Sequence, residues 1–244
     1  MLESLELVRL RLPLRDPWVT ALGTITERDV LLLRAVVDGV AGWGECVAQP
    51  EPTYSAEYEA GAAAVIDTHL APRLLAAGPS SAADVAPALG AVKGHPMAKA
   101  ALELAFLDAE LRRDGRNLAD DLWSRSATTG HRPAAVPAGV AVGATGSVGA
   151  LVDEVAGRVA EGYARVKLKI HPGWDIEPVA AVRDRFPEVA LQVDANGSYG
   201  SLGPVEGSRR LRPLDGYRLL MIEQPLGDDD LLGHAELARH LATP

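Results

Sequence analysis

Two lysines one residue apart, followed at regular intervals by two acids, are the groups in this sequence best suited to chemistry. The stretch Arg165-Val-Lys167-Leu-Lys169-Ile170 reads as a short β-strand. Side chains alternate faces along a strand, so Lys167 and Lys169 share one face and Val166, Leu168 and Ile170 the other. Helix-like segments flank it on both sides, as they would a covered strand of a parallel sheet. Two ammonium groups on the inside of such a strand need a reason to be there. Leu191-Gln-Val-Asp194-Ala-Asn196 and Leu220-Met-Ile-Glu223-Gln-Pro225 read as the next two strand ends, each carrying an acid. Lys169, Asp194 and Glu223 follow one another at roughly the length of one βα unit.

The chemistry follows from the residue types. Asp194 and Glu223, with Asn196 helping, are hard oxygen donors suited to Mg²⁺ or another divalent cation such as Mn²⁺. A lysine beside a bound cation and a second lysine has its charged form disfavoured, so its pKa is expected to fall. A lysine lowered in this way is a usable general base. Facing a small-molecule carboxylate held on the cation, it would remove the proton next to that carboxylate, and the cation would stabilise the enediolate formed. Each piece alone has a plainer reading. Lys-x-Lys is usually a solvated strand face, Asp194 a cap or turn former, and Glu-Gln-Pro the start of a loop. The three in order, at βα spacing, are much harder to obtain by accident.

The elements that must position these residues come in two grammars. Residues 4–13, 30–37 and 41–47 read as three antiparallel strands, with a loop over 14–26 and an Asp38-Gly39 hairpin turn. Helical patterns follow over 54–75, 82–89, 96–113 and 117–123. The polar stretch 125–133 is the expected boundary between an α+β domain, 1–125, and a second domain, 126–244. From there strand and helix alternate: strands over 136–143, 164–170, 189–194 and 217–223, each followed by a helical segment. Asp175 is the expected N-cap of the helix over 175–186. The fold class is therefore α/β, an α+β domain followed by the first half of a TIM-type barrel. Four βα units are half of what a closed barrel requires, which at about 250 residues is longer than this segment. Either the chain stops early or another polypeptide completes the sheet, and an inactive fragment needing a partner is one expectation.

Composition narrows the setting. The 244 residues carry a net charge of −9 with no basic tract, which argues against a nucleic-acid partner. No run approaches the ~20 apolar residues of a membrane span. The single cysteine, Cys46, permits no internal disulfide, and a reducing cytoplasm is the expected location. Cys46 reads as a small core residue. His95, His171 and His234 have no second ligand at metal spacing.

Taken together, Val-Lys167-Leu-Lys169, Val-Asp194-Ala-Asn196 and Ile-Glu223-Gln-Pro225 resemble the signature of the enolase superfamily, muconate-lactonizing subgroup. Gly42-Trp-Gly-Glu-Cys46, Tyr54-Ser, Lys93-Gly-His95, Met97-Ala-Lys99, Leu107-Asp-Ala-Glu-Leu111 and Ile170-His-Pro-Gly-Trp-Asp175 are similar to its o-succinylbenzoate synthase and N-acylamino acid racemase group. The resemblance runs from Leu2 to Pro244. It implies a capping α+β domain on a (β/α)7β barrel and Mg²⁺ on Asp194, Glu223 and a third acid. It implies Lys169 as acid/base supported by Lys167. The loop around Trp18–Gly23 and the segment near Tyr54 would close over the substrate. Dehydration in menaquinone synthesis, with possible racemase activity, is the implied function. Dipeptide epimerase and muconate cycloisomerase are alternatives on the same scaffold. A homo-oligomer is expected at full length. The resemblance departs at Ala141, where the group has a serine that meets the substrate. The family's third ligand and second lysine have no counterpart up to Pro244.

Overall fold

The computed structural model describes residues 1–20, 23–127 and 130–244, and it divides into two compact units, Met1–Arg132 and Pro133–Pro244. Each has its own apolar core.

The N-terminal unit opens with an antiparallel sheet in the order β1 (Leu2–Thr20), β2 (Gly23–Val37), β3 (Val40–Cys46). Asp38 and Gly39 join β2 to β3 with φ of 49° and 75°, the handedness that suits a two-residue hairpin. Along β2 the buried positions alternate: Leu31, Leu33, Ala35 and Val37 face the core. The helices are α1 (Glu59–Val65), α2 (Ala71–Ala77), α3 (Ala82–Leu89), α4 (Pro96–Arg113) and α5 (Leu118–Arg125), with a π-helical turn, Ile66–Leu70, joining the first two. β3 carries glycine at 42 and 44 because α4 lies directly on its backbone. A Cβ at Gly44 would stand 1.9 Å from the Ala101 carbonyl oxygen, and one at Gly42 would stand 2.2 Å from that of Ala105. The helix matches this with a buried alanine face, Ala98, Ala101, Ala105 and Ala109. Cys46 is buried in this core, as expected of a small apolar residue.

Two expectations fail here. The segment 14–26 is not a loop: β1 runs on to Thr20 and β2 starts at Gly23, with Trp18 paired to Ile25 and Thr20 to Gly23. A register shift between Pro13 and Trp18 accommodates Pro17, whose missing N–H reads as a loop signal in the sequence. Ala21 and Leu22, the side chain of Trp18 and the surroundings of Gly23 lie outside the described residues. The helix expected from residue 54 begins at Glu59, and Tyr54 stands exposed in the turn before it.

The C-terminal unit is a four-stranded parallel sheet in sequential order: β4 (Gly139–Val142), β5 (Arg165–Lys169), β6 (Ala190–Asp194), β7 (Ile222–Glu223). The α/β architecture read from the sequence is the one observed. Crossovers are made by α6 (Val148–Ala160), α7 (Ile176–Arg185) and α8 (Gly203–Leu211), and α9 (Leu231–Ala238) follows β7. Leu151, Val155, Val179 and Val182 of α6 and α7 join Val142, Val166, Leu168, Leu191 and Val193 in one buried cluster. The strand expected over 217–223 shrinks to two residues. Arg212–Tyr217 winds as a 3₁₀ turn and Arg218 takes a left-handed φ of 51°. Single bonds still extend the ladder backwards, Leu220 N–H to the Leu191 carbonyl at 2.8 Å and Val193 N–H to that of Met221 at 3.2 Å. Among the described residues no helix is long and apolar enough to cross a membrane.

Candidate active site

Register decides which side chains meet. β5 and β6 pair Lys167 with Gln192 and Lys169 with Asp194, and β6 pairs Asp194 with Glu223 of β7. Paired residues on neighbouring parallel strands share a face, so these five project together, opposite the apolar set packed on the helices. The Lys169 ammonium donates to Asp194 Oδ2 at 2.6 Å and to Asn196 Oδ1 at 2.6 Å. The Lys167 ammonium lies 3.2 Å from the same Asp194 oxygen and donates to Glu223 Oε2 at 2.9 Å. One acid is thus shared by two cations, and one cation bridges two acids.

Backbone geometry at the strand ends holds this cluster. Asn196 and Gln224, each just past a strand, adopt left-handed φ of 44° and 45°. Such conformations cost energy in residues other than glycine and persist only where surrounding bonds impose them. Here the bonds are a backbone seam: Ala195 N–H to Glu223 carbonyl at 3.0 Å, Gly197 N–H to Gln224 carbonyl at 2.8 Å, Tyr199 N–H to Pro225 carbonyl at 3.0 Å. The Asn196 N–H also turns back to Asp194 Oδ1 at 3.0 Å. Asp175 caps α7 as expected, accepting from Ile176 N–H at 2.8 Å. Its other oxygen accepts from the buried Tyr199 hydroxyl at 2.7 Å, tying the loop after β5 to the loop after β6.

The electrostatics follow from these contacts. Burial disfavours the Lys167 ammonium, but hydrogen bonds to Glu223 and Asp194, with their charges, outweigh it and raise its pKa above the ordinary lysine value. The fold sets two carboxylates against this ammonium, whereas the fall expected from the sequence belonged to a lysine beside a bound cation. Burial likewise pushes the Asp194 carboxyl up. The Lys169 hydrogen bond, the Asn196 N–H and the charges of the lysines more than offset it, leaving Asp194 below its usual range.

Asp194 Oδ2 and Glu223 Oε2 already converge on one positive group, so the donor set fits a hard divalent cation. Mg²⁺ commonly takes one or two protein carboxylates and completes its octahedron with water or substrate. No set of three or more His, Cys, Asp or Glu residues able to hold a metal occurs among the described residues. Of the residues expected to bind substrate, Asn196 joins the lysine–carboxylate cluster. Trp18, Gly23 and Tyr54 belong to the N-terminal unit and are described with it. The sequence reading passed over Gln192, which lies on the cluster's face and is buried with its amide oxygen unpartnered. Its position two residues before Asp194 on one strand was the available signal.

Comparison with known proteins gives the family. The family model described as mandelate racemase / muconate lactonizing enzyme, N-terminal domain, matches residues 4–122, and that described as enolase C-terminal domain-like matches residues 150–244. The chain belongs to the enolase superfamily. Enzymes of this branch of the superfamily generally depend on a divalent metal. An N-succinylamino acid racemase from Amycolatopsis sp is 50% identical over 244 residues, covering 100% of this chain and 63% of the relative. An o-succinylbenzoate synthase from Enterococcus faecalis is 38% identical over 243 residues, covering 99% of this chain and 63% of the relative. The crystal structure of an enolase superfamily member from Listeria innocua superposes with a TM-score of 0.89 at 34% identity, covering 99% of this chain and 62% of the other. The chain therefore spans about 63% of the length of the curated relatives it matches.

Proposed function

We propose that this superfamily member is an o-succinylbenzoate synthase that also has N-acylamino acid racemase activity. The observation that supports it most is the bonded cluster of Lys169, Lys167, Asp194 and Glu223 on three consecutive strands, in a chain similar to proteins of both names. Asp194 and Glu223 would hold Mg²⁺, or Mn²⁺ in its place, and the ion when bound supplies positive charge for a substrate carboxylate and the negative charge that develops on it. The substrate would be a small-molecule carboxylate, for which Trp18, Gly23 and Tyr54 are proposed as further binding residues. A cytoplasmic homo-oligomer is the corresponding setting.

Lys169 is the acid/base. Its amine takes the proton from the carbon next to the carboxylate, breaking the C–H bond. The same ammonium then delivers that proton to the departing hydroxyl. The C–O bond breaks, water leaves and a C=C bond remains, so one lysine on one face completes a syn dehydration. Asn196 fixes the amine between the two steps, and Lys167 supports it from the same face of β5. Racemisation needs a base on each face of the carbon. The lysines between Pro133 and Pro244 are Lys167 and Lys169, both on β5, so the dehydration is the reaction these residues support by themselves. Dipeptide epimerase and muconate cycloisomerase chemistry would call on the same groups, and substrate profiling separates them.

The test is turnover of the full-length protein with Mg²⁺ on the cyclohexadiene carboxylate and on N-succinylamino acids, in wild type and Lys169→Ala. Loss of both activities in a folded variant is expected. Normal turnover in Lys169→Ala would end the proposal.

A further inference from the structure

Gln192 is the one side chain on the lysine–carboxylate face whose buried polar atom has no partner. It is only 7% exposed, and its Oε1 accepts no hydrogen bond. Buried amide oxygens are rarely left this way, and each exception calls for an account. Two other orphaned atoms of this unit, Trp174 Nε1 and Ser198 Oγ, lie on the loops beyond the strands. Gln192 lies on β6 itself, directly across from Lys167 in the parallel register and two residues before Asp194 on the same face.

The Lys167 ammonium has three N–H donors and spends two, on Glu223 Oε2 and Asp194 Oδ2. Those two oxygens are the ones a divalent cation would take. Once they turn to a cation, Lys167 loses both acceptors and gains a positive neighbour. The residue paired with Lys167 in register, on an adjacent strand and facing the same way, is Gln192 with its idle oxygen. The reverse orientation of the carboxamide would place two further donors beside two ammonium groups, so electrostatics favours the oxygen there.

We infer that Gln192 is a positioning residue, the acceptor to which the Lys167 ammonium turns when Asp194 and Glu223 bind a divalent cation. This rests on the reading of those two acids as cation ligands. Gln192 then does not touch the cation. It makes cation binding possible without stranding a charged amine, and it keeps Lys167 from swinging toward Lys169.

The experiment is calorimetric titration of the full-length protein with MgCl₂ alone, and the shift of its thermal midpoint with Mg²⁺, for wild type, Gln192→Met and Gln192→Glu. Methionine keeps the size and removes the acceptor; glutamate keeps the acceptor. Groups that support a metal site from behind typically alter its affinity 10–100-fold, so Gln192→Met should weaken Mg²⁺ binding about 10-fold. Gln192→Glu should bind at least as tightly as wild type. A purely structural role predicts the reverse order, with the apolar variant tolerated and the charged one harmful. Equal affinity in wild type and Gln192→Met overturns the inference and leaves the cation site standing. Absence of saturable Mg²⁺ binding in wild type overturns both. If Gln192→Met does not fold, the glutamate variant decides alone: weaker binding than wild type refutes the inference, and equal or tighter binding supports it.

Discussion

The two faces of β5 and β6 are held by different forces. On the face toward the helices, Val166, Leu168, Leu191 and Val193 are almost fully buried and belong to one apolar cluster. That face works by area removed from water, a non-directional force that tolerates repacking but not deletion. On the other face every short contact runs between a charged or amide group and another, and of the five partners all but Asp194 remain at least partly open to solvent. Paired charges in that setting contribute little net stability, because desolvation offsets most of their attraction. One face keeps the sheet folded and the other keeps reactive groups in register, so the two should fail in different assays.

Substitutions on each face can break that division. The largest effect belongs to Lys169→Ala: turnover should fall by about 10³-fold or more, the scale of a lost general acid/base, while the urea midpoint barely moves. Comparable loss of stability would show that the charged face also carries the fold. Next is Leu168→Ala on the apolar face, expected to cost about 3 kcal/mol in urea unfolding, with turnover per folded molecule intact. Smaller again is Lys167→Met, at about 1 kcal/mol near neutral pH. The folded-state pKa of Lys167 is raised, so its stabilisation is complete below the unfolded value near 10.5 and disappears as pH rises through the folded value. The gap between wild-type and Lys167→Met midpoints should therefore stay constant to about pH 9 and close at higher pH. The smallest is a control away from both faces. Asp215 accepts from the Ala242 and Thr243 N–H groups at 3.1 and 2.9 Å, and these bonds hold its pKa below the ordinary 3.8 against the opposing effect of burial. Asp215→Asn should cost about 0.5–1 kcal/mol above pH 5. That difference should vanish as pH falls through the lowered value, the opposite end of the scale from Lys167.

Much of the charged face could be read directly from the sequence. Lys167 and Lys169 are one residue apart on a strand, so period two puts them together without any tertiary knowledge, and βα spacing brings Asp194 and Glu223 to the next strand ends. The direction of the Lys167 pKa was not legible, since it depends on which acids reach its ammonium. Gln192 was missed for a related reason: no pattern in the sequence announces that a glutamine will lack a partner. In the N-terminal unit the proline at 17 and the glycine at 23 look like loop chemistry. They became strand because the register shift in β1 and the long pairing with β2 absorbed them. The Gly42 and Gly44 positions fared better in outline than in cause. They read as strand residues, but the helix lying on their backbone is visible only in three dimensions.

The seam joining residues 195–199 to 223–225 has a mechanical consequence. It continues outward, because Leu226 N–H donates to His234 Nε2 of α9 at 3.3 Å. Asn196, which grips the Lys169 ammonium, is thus wired through main-chain links and the His234 ring to α9. A tilt of that helix would be felt at the amine as a change of aim, so the tuning of this centre is distributed to parts of the chain well outside it.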